Sequence, residues 1–103
     1  MEKRDLRSLT GEMVEWISHL IPDQNRDSFN TAIKMQEELS ELLHALHTGD
    51  GDVGAECADI LVLLLDVAYL NGIDLEQSFA AKMQINRDRS WVEKNGALKH
   101  ETY

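Results

Sequence analysis

Residues 53–70 read VGAECADILVLLLDVAYL, and this stretch decides the fold. Its centre, Ile60 to Leu65, is apolar at every position, so a helix formed here is apolar on all sides. Such a helix needs protein around its whole circumference. The stretch therefore predicts a central helix within an assembly, and its apolar run is far too short to span a bilayer.

Three amphipathic helices are predicted around the central one. Apolar residues recur at steps of three and four before Pro22 and again before Gly49, which is typical of helices ending at those points. Asp74 and Gln77 form a capping-box pattern that opens a further helix. The four helices are predicted at about 5–20, 29–47, 53–70 and 75–89, with an irregular tail over 90–103. We expect a single all-α domain over residues 1–103, a four-helix bundle.

The chain has 103 residues and a formal charge of −9, and its acidic groups are concentrated in the middle. Ten Asp and Glu residues but no Lys or Arg lie between Met35 and Ala81. Nucleic acids and anionic membranes both require basic surface, so neither is expected as a partner. The single cysteine, Cys57, cannot form an internal disulfide, and the N-terminus lacks an apolar signal core. We expect a cytoplasmic protein.

A chain this short buries only about 60–65% of its unfolded surface, so it gains stability by association. Because the central helix is also apolar all round, we predict a homo-oligomer, a dimer or a tetramer.

Two pairs of carboxylates carry the functional signal. Glu38 and Glu41 lie one turn apart on the second helix, and Glu56 and Asp59 repeat this step on the third. The short connection predicts antiparallel packing, so the four groups can face one another and bind a hard cation such as Mg²⁺. The alternative is an acidic, solvated helix face on a non-catalytic interaction module. The lack of a nearby basic residue favours the metal site, because the repulsion would otherwise stay uncompensated.

The fourth helix carries basic and amide side chains, in contrast to the acidic second and third helices. Lys82, Asn86 and Arg89 recur at steps of four and three, which places them on one helix face. These donors suit phosphate oxygens that the metal does not reach. We predict that they bind the substrate phosphates.

The combined pattern resembles the MazG-like branch of the all-α nucleotide pyrophosphohydrolases. The matching motifs are Glu37-Glu38-x-x-Glu41, Glu56-x-x-Asp59 and Lys82-x-x-x-Asn86-x-x-Arg89. Residues 82–89 and the tail 99–103 look most like the members that act on dCTP and other canonical deoxynucleotides. The dUTP and phosphoribosyl-ATP pyrophosphohydrolases of the same superfamily are the alternative.

The resemblance implies hydrolysis of a nucleoside triphosphate to the monophosphate and pyrophosphate. It implies that Mg²⁺, for which Mn²⁺ substitutes, is held by Glu38, Glu41, Glu56 and Asp59. Glu37, Glu38 and Glu41 are then the catalytic carboxylates, with Glu37 assisting a second metal or positioning water. Members of the family are homodimers or homotetramers with sites at subunit boundaries.

The base pocket departs from the family pattern. Deoxycytidine-preferring relatives carry aromatic residues where this chain has Thr48 and Leu63. Another aromatic residue must then stack on the base, and Trp16, Tyr69 and Trp91 are the candidates. We choose Trp16 as the predicted substrate-binding aromatic.

Overall fold

The computed structural model describes residues 4–101. The first three residues and Thr102–Tyr103, the end of the predicted tail, lie outside the described residues. The elements are α1 (Leu6–Leu20), a 3₁₀ turn (Asp23–Asn25), α2 (Ser28–Thr48), α3 (Val53–Leu70), α4 (Leu75–Asp88), β1 (Trp91–Lys94) and β2 (Ala97–His100). The prediction of a four-helix, all-α fold is confirmed, and each helix end lies within one residue of its predicted position.

Each α-helix begins after an aspartate that caps it. The side chains of these residues accept hydrogen bonds from backbone N–H groups of the first turn, and a cap of this kind is worth about 1 kcal/mol. The capping residues are Asp5, Asp27, Asp52 and Asp74. Glycine in the left-handed region follows two of the helices, with φ of 75° at Gly49 and 65° at Gly72. The helix bounds are therefore set by local interactions.

The helices pack around α3. Joined by residues 49–52, α2 and α3 form an extensive antiparallel pair, while α1 covers another face of α3 and α4 contacts α1. The buried apolar core is small and consists of Met13, Ala45, Leu65 and Ala68. None of the helices in residues 4–101 has the length and apolarity that spanning a bilayer requires.

The chain exposes much more solvent-accessible surface than a self-contained domain of its mass. It exposes 8075 Å², whereas a folded monomer of 11.7 kDa exposes about 5,900 Å². Its radius of gyration is 16.2 Å, against about 13 Å for a compact chain of this length. Leu61 and Leu64 on α3 are each more than a third exposed. The all-round burial predicted for this helix is therefore not supplied by the chain's own helices.

The tail is ordered as a β-hairpin. β1 and β2 pair in antiparallel register from Trp91 opposite His100 to Lys94 opposite Ala97. Asn95 and Gly96 have φ of 54° and 79°, as a two-residue hairpin turn requires. The prediction of an irregular tail was wrong for residues 91–100. Both faces of the hairpin are largely exposed. A strand with no buried face does not need alternating apolar and polar residues, and this alternation is the pattern by which strands are predicted from sequence.

Candidate active site

Three carboxylates meet where α2 and α3 face each other. Glu38 of α2 and Glu56 and Asp59 of α3 each place one oxygen within 4.8 Å of the others. The three-residue step on α3 and the antiparallel packing bring the groups together, as the sequence predicted. A single cation at this point would contact ligands from both helices.

The environment of this cluster favours a bound cation. Only 8% of Glu38 is exposed, and burial raises the pKa of its carboxyl, with Glu41 beside it raising this pKa further. Glu38 Oε2 and Glu56 Oε2 are buried and accept no hydrogen bond from residues 4–101. Buried carboxylate oxygens without donors are costly unless a charge compensates them. The cluster therefore fits a hard divalent cation such as Mg²⁺ or Mn²⁺.

Lys34 is a site residue that the sequence analysis missed. Its Nζ lies 2.9 Å from Glu37 Oε2 and 3.4 Å from Glu38 Oε1. The expectation of no basic group beside the carboxylates was wrong, because Lys34 lies directly before Met35, just outside the stretch that lacks Lys and Arg. Its spacing of four from Glu38 was the available signal.

The other predicted carboxylates adjoin the cluster. Glu41 is not one of the three groups that converge within 4.8 Å, but it lies close enough to Glu38 to raise the pKa of that residue. Glu37 is held by Lys34. Glu41 and Glu56 also line an opening beyond the cluster, together with Ser40, His44, Ala45, Asp50 and Gly51. This end of the seam is strongly acidic.

A second groove lies at the opposite end of the same seam. On α3, Glu56, Asp59, Leu63 and Asp66 follow steps of three, four and three, so they lie on one helix face. The groove is lined by Ile17, Ile21, Asn25, Arg26, Asp27, Asn30, Thr31, Lys34, Leu63 and Asp66. It combines apolar walls with amide and hydroxyl groups, as small-molecule sites do. The carboxylate cluster thus lies between an acidic opening and a mixed polar and apolar groove.

A buried ion pair holds one wall of this groove. The side chains of Arg26 and Asp66 are 3% and 1% exposed, and Arg26 Nε donates to both Asp66 oxygens at 3.2 and 3.3 Å. Arg26 Nη1 also donates to Ile21 O and contacts Asp23 Oδ1, which lies 2.9 Å away. Tyr69 donates its hydroxyl to Asp23 and lies under the guanidinium. No sequence pattern indicated this network, because Arg26 and Asp66 are 40 positions apart.

The predicted phosphate-binding residues lie apart from the cluster. Lys82, Asn86 and the α4 C-cap Arg89 belong to the fourth helix, whose main packing partner is α1. Lys82 and Arg89 are exposed, and neither forms an ion pair with the clustered carboxylates within residues 4–101. Asn86 has a buried Oδ1 that accepts no hydrogen bond from the described residues, and its backbone oxygen accepts the Trp91 Nε1 hydrogen bond at 2.7 Å. One chain does not bring these residues to the seam.

The three candidate aromatics are also distributed away from the cluster. Trp16 is 59% exposed and lines an apolar groove between α1 and α3 with Leu61 and Val62. Asp59 is not among the residues that line this groove. Tyr69 is engaged by Asp23, and Trp91 packs on His100 with ring centroids 5.4 Å apart.

Comparison with known proteins identifies the class. A family model described as phosphoribosyl-ATP pyrophosphohydrolase matches residues 10–84. A dATP/dGTP diphosphohydrolase of cyanophage S-2L is 41% identical over 93 residues, which cover 89% of this chain and 84% of that protein. One of Salmonella phage PMBT28 is 40% identical over 76 residues, covering 74% of this chain and 24% of the longer relative.

A solved structure has the same fold. The cyanophage S-2L MazG-like pyrophosphohydrolase, bound to dGDP and three catalytic Mn²⁺ ions per active site, superimposes with a TM-score of 0.80. It is 38% identical, and the match covers 97% of this chain and 100% of that one. The chain therefore belongs to the phosphoribosyl-ATP pyrophosphohydrolase family and has its MazG-like all-α fold. It is a nucleoside triphosphate pyrophosphohydrolase, a hydrolase that acts on acid anhydrides. The relative's Mn²⁺ ions and the carboxylate cluster support a divalent metal cofactor, and they are compatible with Mg²⁺ for which Mn²⁺ substitutes.

Proposed function

We propose that this chain hydrolyses dATP and dGTP to the monophosphate and pyrophosphate at the α2–α3 carboxylate cluster. The observation that carries the proposal is the convergence of Glu38, Glu56 and Asp59 within 4.8 Å, with two buried oxygens lacking donors. The names of the two phage relatives support purine deoxynucleotides rather than the dCTP expected from the sequence.

The carboxylates are proposed to have two roles. Glu38, Glu56 and Asp59, with Glu41 beside them, hold the divalent cation, which when bound draws charge from the phosphate oxygens. Hydrolysis adds water across the anhydride link between the α- and β-phosphates, and the water must lose a proton. Glu37 and Glu41 adjoin the cluster without being part of it, which suits one of them to accept that proton.

We propose further that the working enzyme is a homo-oligomer. The chain exposes about 2,200 Å² more than a self-contained domain of its mass, an area in the range that obligate oligomers bury. Neighbouring subunits then supply Lys82, Asn86 and Arg89 to the triphosphate and Trp16 to the base. Lys82, Arg89 and Trp16 are exposed, and none of them lines the openings at the two ends of the α2–α3 seam, which supports this arrangement.

A substrate screen tests the activity. Purified protein is incubated with Mg²⁺ or Mn²⁺ and each ribo- and deoxynucleoside triphosphate, with phosphoribosyl-ATP included because the family model is described by that substrate. Pyrophosphate and orthophosphate are measured separately, and Glu38→Gln is the matched control. We expect pyrophosphate from dATP and dGTP with the highest kcat/KM. Release of orthophosphate, or a preference for dCTP or phosphoribosyl-ATP, would refute the proposed reaction or substrate.

A further inference from the structure

We propose that Lys34 is a substrate-binding residue, which pairs with the carboxylates in the metal-free chain and contacts a nucleotide phosphate once the metal is bound. The inference rests on the proposed function and adds a cation that the single chain itself brings to the seam. In this role Lys34 competes with the metal for the carboxylates. Replacing Lys34 is therefore expected to strengthen metal binding and to weaken nucleotide binding.

The contacts place Lys34 at the metal ligands. Its ammonium lies 2.9 Å from Glu37 Oε2 and 3.4 Å from Glu38 Oε1. Within residues 4–101, these are the ion pairs that a Lys or Arg makes with the carboxylates of the motif. Lys34 therefore neutralises part of the negative charge of these carboxylates, and a divalent ion would neutralise more of it.

The side chain can leave the carboxylates at little cost. It is 53% exposed and sits on a flexible four-carbon stem. Ion pairs made by such an exposed lysine are weak, because water replaces the partner readily. A divalent ion bound to Glu38 also repels the ammonium. Metal binding is therefore expected to turn Lys34 away from Glu38.

The groove beside the cluster gives the ammonium its next partner. Lys34 lines this groove together with Asn30 and Leu63, and Leu63 lies one helical turn beyond Asp59. The opposite end of the seam is lined by Glu41, Asp50 and Glu56, which do not favour an anion without metal. A bound nucleotide whose phosphates lie at the metal and whose nucleoside lies in the groove extends past Lys34. The phosphate that links the nucleoside to the other phosphates is then the group nearest the ammonium.

Charge balance favours such a cation. A triphosphate carries more negative charge than one divalent ion neutralises, and Glu38, Glu56 and Asp59 add their own. Lys82 and Arg89 do not line either end of this seam. Arg26 lines the groove but is engaged by Asp66. Lys34 is therefore a half-exposed cation that every subunit supplies to its own site, whatever the assembly.

Two binding measurements test the proposal. The first titrates Mn²⁺ into the nucleotide-free protein, and the second titrates dGDP and dADP with Mn²⁺ present. They are made on the wild type, Lys34→Met, Lys34→Arg and, as matched control, Lys94→Met on the exposed strand β1. Lys34→Met is expected to tighten Mn²⁺ binding about two- to fivefold, because a competing ion pair is lost. It is expected to weaken both nucleotides about ten- to a hundredfold, because a charged hydrogen bond is lost. Lys34→Arg should restore much of the nucleotide affinity, and Lys94→Met should change neither constant.

The expected changes in Mn²⁺ affinity and in nucleotide affinity have opposite signs, and this distinguishes a substrate-binding role of Lys34 from a structural one. If Lys34→Met weakens Mn²⁺ and nucleotide binding together, Lys34 only supports the fold and the proposal is overturned. Unchanged dGDP and dADP affinity overturns it as well. The proposed function fails in a different way, since a wild type that binds dGDP but releases no pyrophosphate refutes the reaction and leaves the binding role of Lys34 standing.

Discussion

The buried pair Arg26–Asp66 provides the strongest stability prediction, tested by Asp66→Asn. The substitution keeps the size of the side chain but removes the buried charged partner of the guanidinium, which is 3% exposed and keeps its ion pair with the more exposed Asp23. Removing one member of a buried ion pair costs about 3–5 kcal/mol. For a domain of about 100 residues, each 1 kcal/mol lowers Tm by about 4–8 °C, so the expected loss is about 12 °C or more.

Thermal unfolding followed by circular dichroism measures this loss. All variants are compared at one protein concentration, because Tm of an oligomer depends on it. Asp88→Asn, at an exposed position on α4, is the matched control and should shift Tm by only a degree or two. The double variant Arg26→Met with Asp66→Leu should recover most of the loss, since it removes both charges. A loss below about 1 kcal/mol for Asp66→Asn would refute the argument that the pair is buried and mutually dependent.

Three further predictions concern the active site and the assembly. Glu38→Gln and Asp59→Asn should abolish turnover while helix content survives. They should also remove the stabilisation by Mn²⁺, about 2.7 kcal/mol at a hundredfold excess over Kd, and with it the rise in Tm. Near wild-type activity at limiting metal would exclude that residue as a ligand. Light scattering at micromolar concentration should give a multiple of 11.7 kDa, and a mass of one chain would contradict the oligomer. Lys82→Met should lower kcat/KM about ten- to a hundredfold for every nucleotide, whereas a changed ranking among bases would place Lys82 in the base pocket.

Local patterns in the sequence determined the helices and the carboxylate cluster. Each helix starts at an aspartate cap and two are followed by glycine, and both signals act within one turn of the chain. Glu56 and Asp59 share a face through helix periodicity alone, and the short loop at Gly49 forces antiparallel pairing with Glu38. Two local signals were available but unused, namely the Asn95-Gly96 turn and the spacing of Lys34 from Glu38.

The tertiary structure decided the features that depend on distant parts of the chain. The pairing of Arg26 with Asp66 joins residues 40 positions apart, and no local spacing rule connects the two. Trp16 lines a groove that does not include Asp59, because helix packing selects which face of α3 meets α1. The distance of Lys82 from the cluster has the same origin, since α4 packs on α1 instead of the α2–α3 seam. Periodicity fixes the face of a helix that carries a residue, but only packing fixes which element that face meets.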